Sequence, residues 1–312
     1  MSKRLSSQRR GFTLVELLVV IGIIALLISI LLPSLAKARE AGNSVKCLAN
    51  LRSLSQAMIS FTNDHKGYMP GRAGTGLTKY STSGGVQSGV PTAGIIEAAD
   101  WICWQRKIDP VSGAATSLSD GNITYSSIAP YLGVKPVDTT GDFARANIVA
   151  DKLEGTFRCP SDDLNMRPNA GTSGAYRYSY TANDWYMNPI QNPFAAGFAK
   201  DDRYGGTKFT GKITSIHTPS EKVLLVCTDE LTLTDGIFKA APANWASGKC
   251  NLVSSRHEKK VVSGANNTNP AAINQNARGN VSFADGHAEF FSRKDALRAR
   301  YCGRPDADPA GF

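Results

Sequence analysis

One acidic residue, Glu16, lies inside the most apolar segment of the chain. Between Phe12 and Leu32 no other side chain ionises. A charged side chain in a membrane costs roughly 2.5–3.5 kcal/mol on insertion scales, and such residues usually have a partner. We therefore expect Glu16 to have a function that depends on its charge.

Six cysteines are the next residues that could carry chemistry. No two of them form a C-x-x-C pair, so the sequence does not predict a zinc ribbon or a thioredoxin-like site. If the body of the chain lies outside the cytoplasm, some of them can form disulfides, but the spacing does not decide the connectivity. The cysteines are at positions 47, 103, 159, 227, 250 and 302.

Cys47 and Cys159 are the pair that we expect to form a disulfide. Cys47 adjoins Leu48 on the apolar side of a predicted helix, and Cys159 ends a strand-like run just before a turn. The bond would join helix and head. Because it would close a loop of over 100 residues, it would contribute about 4–5 kcal/mol in the chain-entropy model.

His257, Asp285 and His287 have side chains that suit zinc or iron. However, Asp285-Gly286 is a turn signal with His287 beside it, so a structural role is favoured over ligation. The acid-rich runs at 161–163 and 200–202 lack the spacing of a calcium loop. We predict no metal and no cofactor. The sequence contains no G-x-S-x-G, H-E-x-x-H, P-loop or dinucleotide motif, so no catalytic residue is assigned and no enzyme is predicted.

The net charge of +9 gives no indication of nucleic-acid binding. Four of the positive residues precede the apolar segment, and the others are mixed with acids and form no dense basic stripe. These four are Lys3, Arg4, Arg9 and Arg10. Positive charge before an apolar span keeps the N-terminus in the cytoplasm and directs the remainder outward.

The apolar segment from Phe12 to Leu35 is long enough to span a membrane. Its first 21 residues would rise about 31 Å as a helix, and a hydrocarbon core is about 30 Å thick. Three interpretations remain open from composition. A secretory signal could be cut after Ala36-Lys37-Ala38, although its core would be unusually long. Arg9-Arg10 suggests a twin-arginine signal, and a plain anchor explains the length but leaves Glu16 unexplained.

The segment Arg9–Leu18, RRGFTLVELL, closely resembles the type IV prepilin signal. The resemblance implies that prepilin peptidase cuts the leader after Gly11 and that Phe12 is then N-methylated. It also implies that Glu16 pairs with the Phe12 amine of a neighbouring subunit inside a filament. Other pilin-like subunits and inner-membrane lipid are the implied partners.

The amphipathic pattern that follows predicts that this helix continues to about Asp64–Lys66, with a kink at Pro33. In the head, 222–228 is the clearest buried strand, 176–182 a second strand, and Asp285-Gly286 a hairpin turn. Residues 71–94 are expected to form a surface loop. The predicted packing face of the helix comprises Ala38, Ala41, Val45, Leu48, Leu51, Leu54, Met58 and Phe61.

Short motifs along the head resemble a large bacterial group of prepilin-like proteins. The group places a histidine about ten residues before the DG hairpin, whereas here the nearest upstream histidine is His257, which suggests an insertion at 261–279. The matching residues are Cys47, Asn50, Leu51 and Gln56 on the helix, Gly67 and Pro70, Cys159–Asp162, Thr218-Pro219-Ser220, and Phe283–His287.

The predicted fold class is α+β, with one long N-terminal helix packed on an antiparallel sheet. The predicted segments are a leader (1–11), a transmembrane helix (12–35), its amphipathic continuation (36–66) and a globular head (67–312). The expected function is a structural subunit of a type II secretion-like pseudopilus or a type IV pilus-like filament, with the head outside the inner membrane. The alternative is a membrane-tethered module that binds, for example, polysaccharide through exposed tryptophans at positions 101, 104, 185 and 245.

Overall fold

A computed structural model describes residues 14–70, 78–80, 86–88, 101–102, 123, 126–134, 153–163, 176–183, 212–233, 236–240, 251–258 and 277–303. Residues 78–80 and 86–88 are described by their backbone alone. The chain divides into two units, residues 1–42 and 43–312, and the long helix contributes to both.

That helix, α1 (Leu14–Asp64), confirms the continuous helix that the apolar periodicity predicts, and Pro33 lies inside it. It ends where a helix stop is expected. Gly67 has a φ of +84°, and its N–H donates to the carbonyl of Thr62 over 2.7 Å. A glycine in the left-handed region is a frequent way to close a helix, because it has no Cβ to clash.

The packing face of α1 agrees with the predicted stripe only in its C-terminal part. Leu51, Leu54, Met58 and Phe61 are buried, whereas Val45 is 67% exposed. Burial begins at Cys47, four residues after Asn43, where the second unit starts. The predicted face was therefore wrong for Ala38, Ala41 and Val45, all of which are exposed. Apolar spacing alone does not mark where along a helix the packing starts.

A five-stranded sheet forms the centre of the second unit. Its strands are β3 (Tyr180–Asn183), β4 (Val223–Cys227), β5 (Ile237–Phe238), β6 (Arg278–Phe283) and β7 (Ala288–Ser292). They lie in the order β5-β3-β4-β6-β7. All neighbouring pairs are antiparallel except β3 with β5, which is parallel. The DG hairpin and the strand near 222–228 are confirmed.

Both faces of this sheet are covered, which explains why all five residues of β4 are buried. On one face, Leu225 and Cys227 share a core with the buried residues of α1. On the other, Val223 and Val226 pack with Leu297 and with Cys302 of the short helix α2 (Ala299–Cys302). The head is thus α+β, as predicted.

The segment expected to be a surface loop contains two short strands, β1 (Thr78–Tyr80) and β2 (Val86–Ser88). They pair antiparallel in a separate two-stranded sheet. Thr, Tyr and Val favour strands, and the Gly- and Ser-rich composition around them concealed this signal.

Candidate functional site

Residues 14–35 of α1 form the first candidate site. Their large apolar side chains are 46–77% exposed, and the segment's mean hydropathy reaches 3.1 over an 18-residue window. By length and composition, α1 is able to cross a membrane, and no second helix in the described part of the chain has this property. Glu16 lies in its first turn. Gly11 and Phe12 are outside the described residues.

The second candidate site is a buried cluster of three cysteines and one histidine. It comprises Cys47, Cys159, Cys227 and His257, and their sulfur and ring-nitrogen atoms all lie within 4.8 Å of one another. The Sγ of Cys159 is 3.1 Å from Nε2 of His257. The cysteines are at most 2% exposed. We refer to these four residues as the Cys–His cluster.

Each member of the cluster comes from a different element. Cys47 is on the buried face of α1, and Cys227 is the last residue of β4. Cys159 begins a turn in which its carbonyl accepts a hydrogen bond from Asp162 N–H, with Pro160 at the position that proline favours. His257 lies in a turn that Glu258 N–H closes onto the carbonyl of Ser255.

Backbone hydrogen bonds bring the His257 turn to the end of β4. Ser254 N–H donates to the carbonyl of Cys227 over 2.7 Å, and Thr228 forms an isolated β-bridge with Val253. As a result, Cys227 and His257 lie together although 30 residues separate them in the sequence.

A layer of polar groups surrounds the cluster. Arg256 Nη1 donates to Cys227 Sγ over 3.6 Å, and its Nη2 donates to the carbonyl of Thr228. The same guanidinium pairs with Asp162 (3.4 Å) and Glu230 (2.8 Å). Through these contacts a buried cation is held directly against one sulfur of the cluster.

A second set of contacts positions Cys159. The hydroxyl of Ser179 accepts a hydrogen bond from Cys159 N–H (2.8 Å) and donates one to the carboxylate of Asp162 (2.7 Å). On α1, the side-chain amide of Asn50 donates to the carbonyls of Gly155 and Arg158. The segment 155–159 is therefore hydrogen-bonded both to α1 and to Ser179, the residue that precedes β3.

The close contacts within the cluster change the pKa values of its side chains. Hydrogen bonds from Cys227 and then Cys47 hold the pKa of the Cys159 thiol well below its usual range, and His257 and Arg256 act in the same direction. Burial lowers the pKa of His257, but hydrogen bonding to Cys159 and Cys47 outweighs it and raises the pKa to about 10. At neutral pH these shifts favour a Cys159 thiolate beside a protonated His257 ring.

The cluster includes the two cysteines for which a disulfide is predicted. Both are free thiols here, as is Cys227, which is equally close. The predicted bond between Cys47 and Cys159 stays a prediction. No spacing in the sequence predicts that Cys227 and His257 join them. The sequence signal was limited to Cys47 and Cys159, which belong to the short motifs given above, and to His257 as the nearest histidine upstream of the DG hairpin.

The other sequence-predicted ligands lie elsewhere. Asp285 and His287 contact each other in the hairpin turn, 2.5 Å from Oδ1 to Nδ1, and the ring of His287 stacks on Phe283. Asp162 of the acidic run at 161–163 faces Ser179 and Arg256, as described above. Trp101 is fully buried, and its indole N–H donates to the carbonyl of Gly236 over 3.0 Å. Trp104, Trp185 and Trp245 lie outside the described residues.

Comparison with known proteins places the N-terminal segment in a recognised group. The family described as the prokaryotic N-terminal methylation motif matches residues 6–32. These residues and the α+β architecture support a type IV prepilin-like protein with a pilin-like fold.

One relative is the type IV wide pilus major component PilA4 of Thermus thermophilus, 38% identical over 64 residues. That alignment covers 20% of this chain and 49% of the relative, so the chain spans about half the length of the curated relative that it matches. No solved structure matches the chain.

Proposed function

We propose that this protein is a structural subunit of a pilin-like filament, either a type II secretion-like pseudopilus or a type IV pilus-like fibre. The observation that carries the proposal is the methylation motif over residues 6–32, which coincides with an apolar helix whose side chains are exposed. An exposed apolar helix of this length needs either lipid or the matching helices of other subunits around it.

In this proposal the leader is cut after Gly11 by prepilin peptidase, and the new N-terminal residue, Phe12, is methylated. The transmembrane helix holds the subunit in the inner membrane, with the N-terminus cytoplasmic and the head outside. Glu16 then pairs with the Phe12 amine of an adjacent subunit. Pairing reduces the free-energy cost of burying both charges and sets the axial register of the two helices.

The competing function, a tethered binding module that recognises sugar rings, requires exposed tryptophans. The one tryptophan within the described residues, Trp101, packs against Phe157 in the core and has no exposed face. This burial favours the filament subunit.

Mass spectrometry of the protein isolated from its native membrane tests the proposal. We expect an N-terminal peptide that begins with methylated Phe12. A peptide that begins at Arg39 would establish a secretory signal, and an intact Met1 would establish a plain anchor. Either result would overturn the processing on which the filament function depends.

A further inference from the structure

We propose that Cys47, Cys159, Cys227 and His257 form a Cys3His site that binds one tetrahedral metal ion, with zinc as the preferred metal. The ion would cross-link α1, the Cys159 turn, β4 and the His257 turn. This inference concerns the second unit alone, residues 43–312, and does not depend on filament assembly.

The geometry of the four side chains carries the proposal. Tetrahedral zinc with Zn–S bonds of about 2.3 Å places its sulfur ligands about 3.8 Å apart, and a sulfur and an imidazole nitrogen about 3.6 Å apart. The four ligand atoms of the cluster already lie within 4.8 Å of one another, and Cys159 Sγ is 3.1 Å from Nε2 of His257. Only small side-chain movements are needed to form the coordination sphere.

The types of ligand select the metal. Three thiolates and one imidazole are a soft, nitrogen- and sulfur-rich set that suits zinc and disfavours magnesium or calcium, which prefer oxygen. All four positions of the tetrahedron come from the protein, so none is open to water or substrate. A closed site of this kind is structural and not catalytic.

The surrounding contacts also fit a metal centre. Metal ligands are usually oriented by hydrogen bonds from a second layer of residues. Here Arg256 donates to Cys227 Sγ, and Ser179 fixes the backbone of Cys159. Three thiolates and Zn²⁺ together carry one negative charge, which the buried guanidinium partly offsets.

The Cys159 turn borders an indented part of the surface. A cleft of about 390 Å³ opens there, and Cys159 itself forms part of its wall. Lys46, Glu154 and Asp162 also line it. Access for a metal ion at this turn is consistent with the proposal.

A disulfide is the competing chemistry for these cysteines. A bond between any two of the three would leave the third thiol, and His257, without a function. A metal ion uses all four side chains, and it explains why the imidazole nitrogen faces Cys159 at 3.1 Å. Because all four side chains of the Cys–His cluster point to one place, a metal ion is favoured over a disulfide.

The experiment measures metal content in the full-length protein, purified in detergent without chelator or reductant. We expect one zinc ion per chain by mass spectrometry of the metals. Cys227→Ser and His257→Gln should lose the stoichiometric zinc. Cys302→Ser should retain it and is the matched control, because Cys302 is a buried cysteine that lies outside the cluster.

A parallel sample is alkylated at the moment of lysis and mapped for disulfides. Metal-free protein in which two of the three cluster cysteines are joined would overturn the proposal. Cys47, Cys159 and Cys227 would instead all be found as unlinked thiols if they ligate zinc.

A measurement on the wild-type chain avoids any folding defect in the variants. Protein stripped with chelator under reducing conditions is given Co²⁺. We expect the absorption bands of tetrahedral cobalt together with a thiolate-to-cobalt charge-transfer band, and Zn²⁺ should abolish both. Stripped protein that unfolds and is restored by Zn²⁺ but not by Mg²⁺ would also support the site. Folded protein that takes up neither Co²⁺ nor Zn²⁺ would refute it.

Discussion

The hydroxyl of Ser55 on α1 donates a hydrogen bond to the hydroxyl of Ser282 on β6, 2.7 Å away, and both residues are completely buried. Residues 227 positions apart in the chain thereby form one polar contact inside an apolar interface. Because a buried hydroxyl that loses its partner keeps its desolvation cost, we expect Ser55→Ala or Ser282→Ala to lower the free energy of unfolding by about 1–3 kcal/mol.

The double variant of Ser55 and Ser282 should cost less than the sum of the two single variants, since it leaves neither hydroxyl unpartnered. Urea unfolding of the four proteins in detergent, followed by intrinsic fluorescence, gives the coupling energy. Ser53→Ala is the control, because Ser53 is on the same helix and exposed. Strict additivity would show that the two hydroxyls do not stabilise each other.

A close backbone approach at Gly279 gives a second prediction. A Cβ at this position of β6 would lie 1.9 Å from the carbonyl oxygen of Ser254 and 2.8 Å from Cγ1 of Val253. The strand would have to move away from residues 253–254. Gly279→Ala should therefore lower the free energy of unfolding by about 1–3 kcal/mol.

Gly155→Ala is the matched control for Gly279→Ala. A Cβ there would meet nothing within 4 Å, and the residue lies in a helical turn at 153–157. The control should therefore be neutral or stabilise by up to about 1 kcal/mol. Thermal unfolding compares the two variants, and equal effects would exclude the close approach as the cause.

Gly11→Leu tests the proposed processing. The larger side chain should crowd the bond that prepilin peptidase cuts, so the full-length precursor should accumulate in the membrane. Immunoblots of the precursor and mature forms, with the intact mass as confirmation, measure the effect. Gly22→Leu is the comparison, because Gly22 lies inside the apolar segment, away from the proposed cleavage site, and a Cβ there meets nothing within 4 Å. Normal maturation of Gly11→Leu would contradict cleavage at this bond.

Glu16→Ala should reduce filament assembly without unfolding the head. The substitution removes a charge from the membrane segment, so insertion becomes easier, but the amine of a neighbouring Phe12 loses its proposed partner. We expect near-normal protein level and Phe12 processing, with a sharp fall in the yield of sheared filaments. Glu40→Ala, outside the apolar segment, is the control. An undiminished filament yield from Glu16→Ala would show that filament assembly does not require the carboxylate of Glu16.

The sequence predicts α1, β4 and the DG hairpin because each depends on local patterns. The periodic spacing of apolar residues, a continuous run of apolar residues and a turn dipeptide can each be recognised within a short stretch of sequence. The two-residue strand β5 has no such pattern, since its parallel pairing with β3 is decided by the sheet.

The Cys–His cluster could not be predicted from sequence spacing either, because it depends on tertiary packing and not on a local pattern. Cys47, Cys159, Cys227 and His257 come from four elements, whereas C-x-x-C spacing detects only ligands that share one turn. Packing of the helix on the sheet brings them together. Of these contacts, only the proximity of Cys47 to the helix's apolar side could be inferred from periodicity.

The contact of α1 with the DG hairpin has a consequence for the order in which the protein matures. Arg52 donates to the carbonyl of Ala288, and a Cβ at Gly286 would lie 2.3 Å from Nε2 of Gln56. The packing of this part of α1 therefore depends on a hairpin that is synthesised more than 200 residues later. The ribosome delivers residues 43–64 well before β6 and β7. During that interval the apolar face of α1 is not yet packed against the sheet. Chaperones and proteases can recognise this exposed apolar surface on the nascent chain.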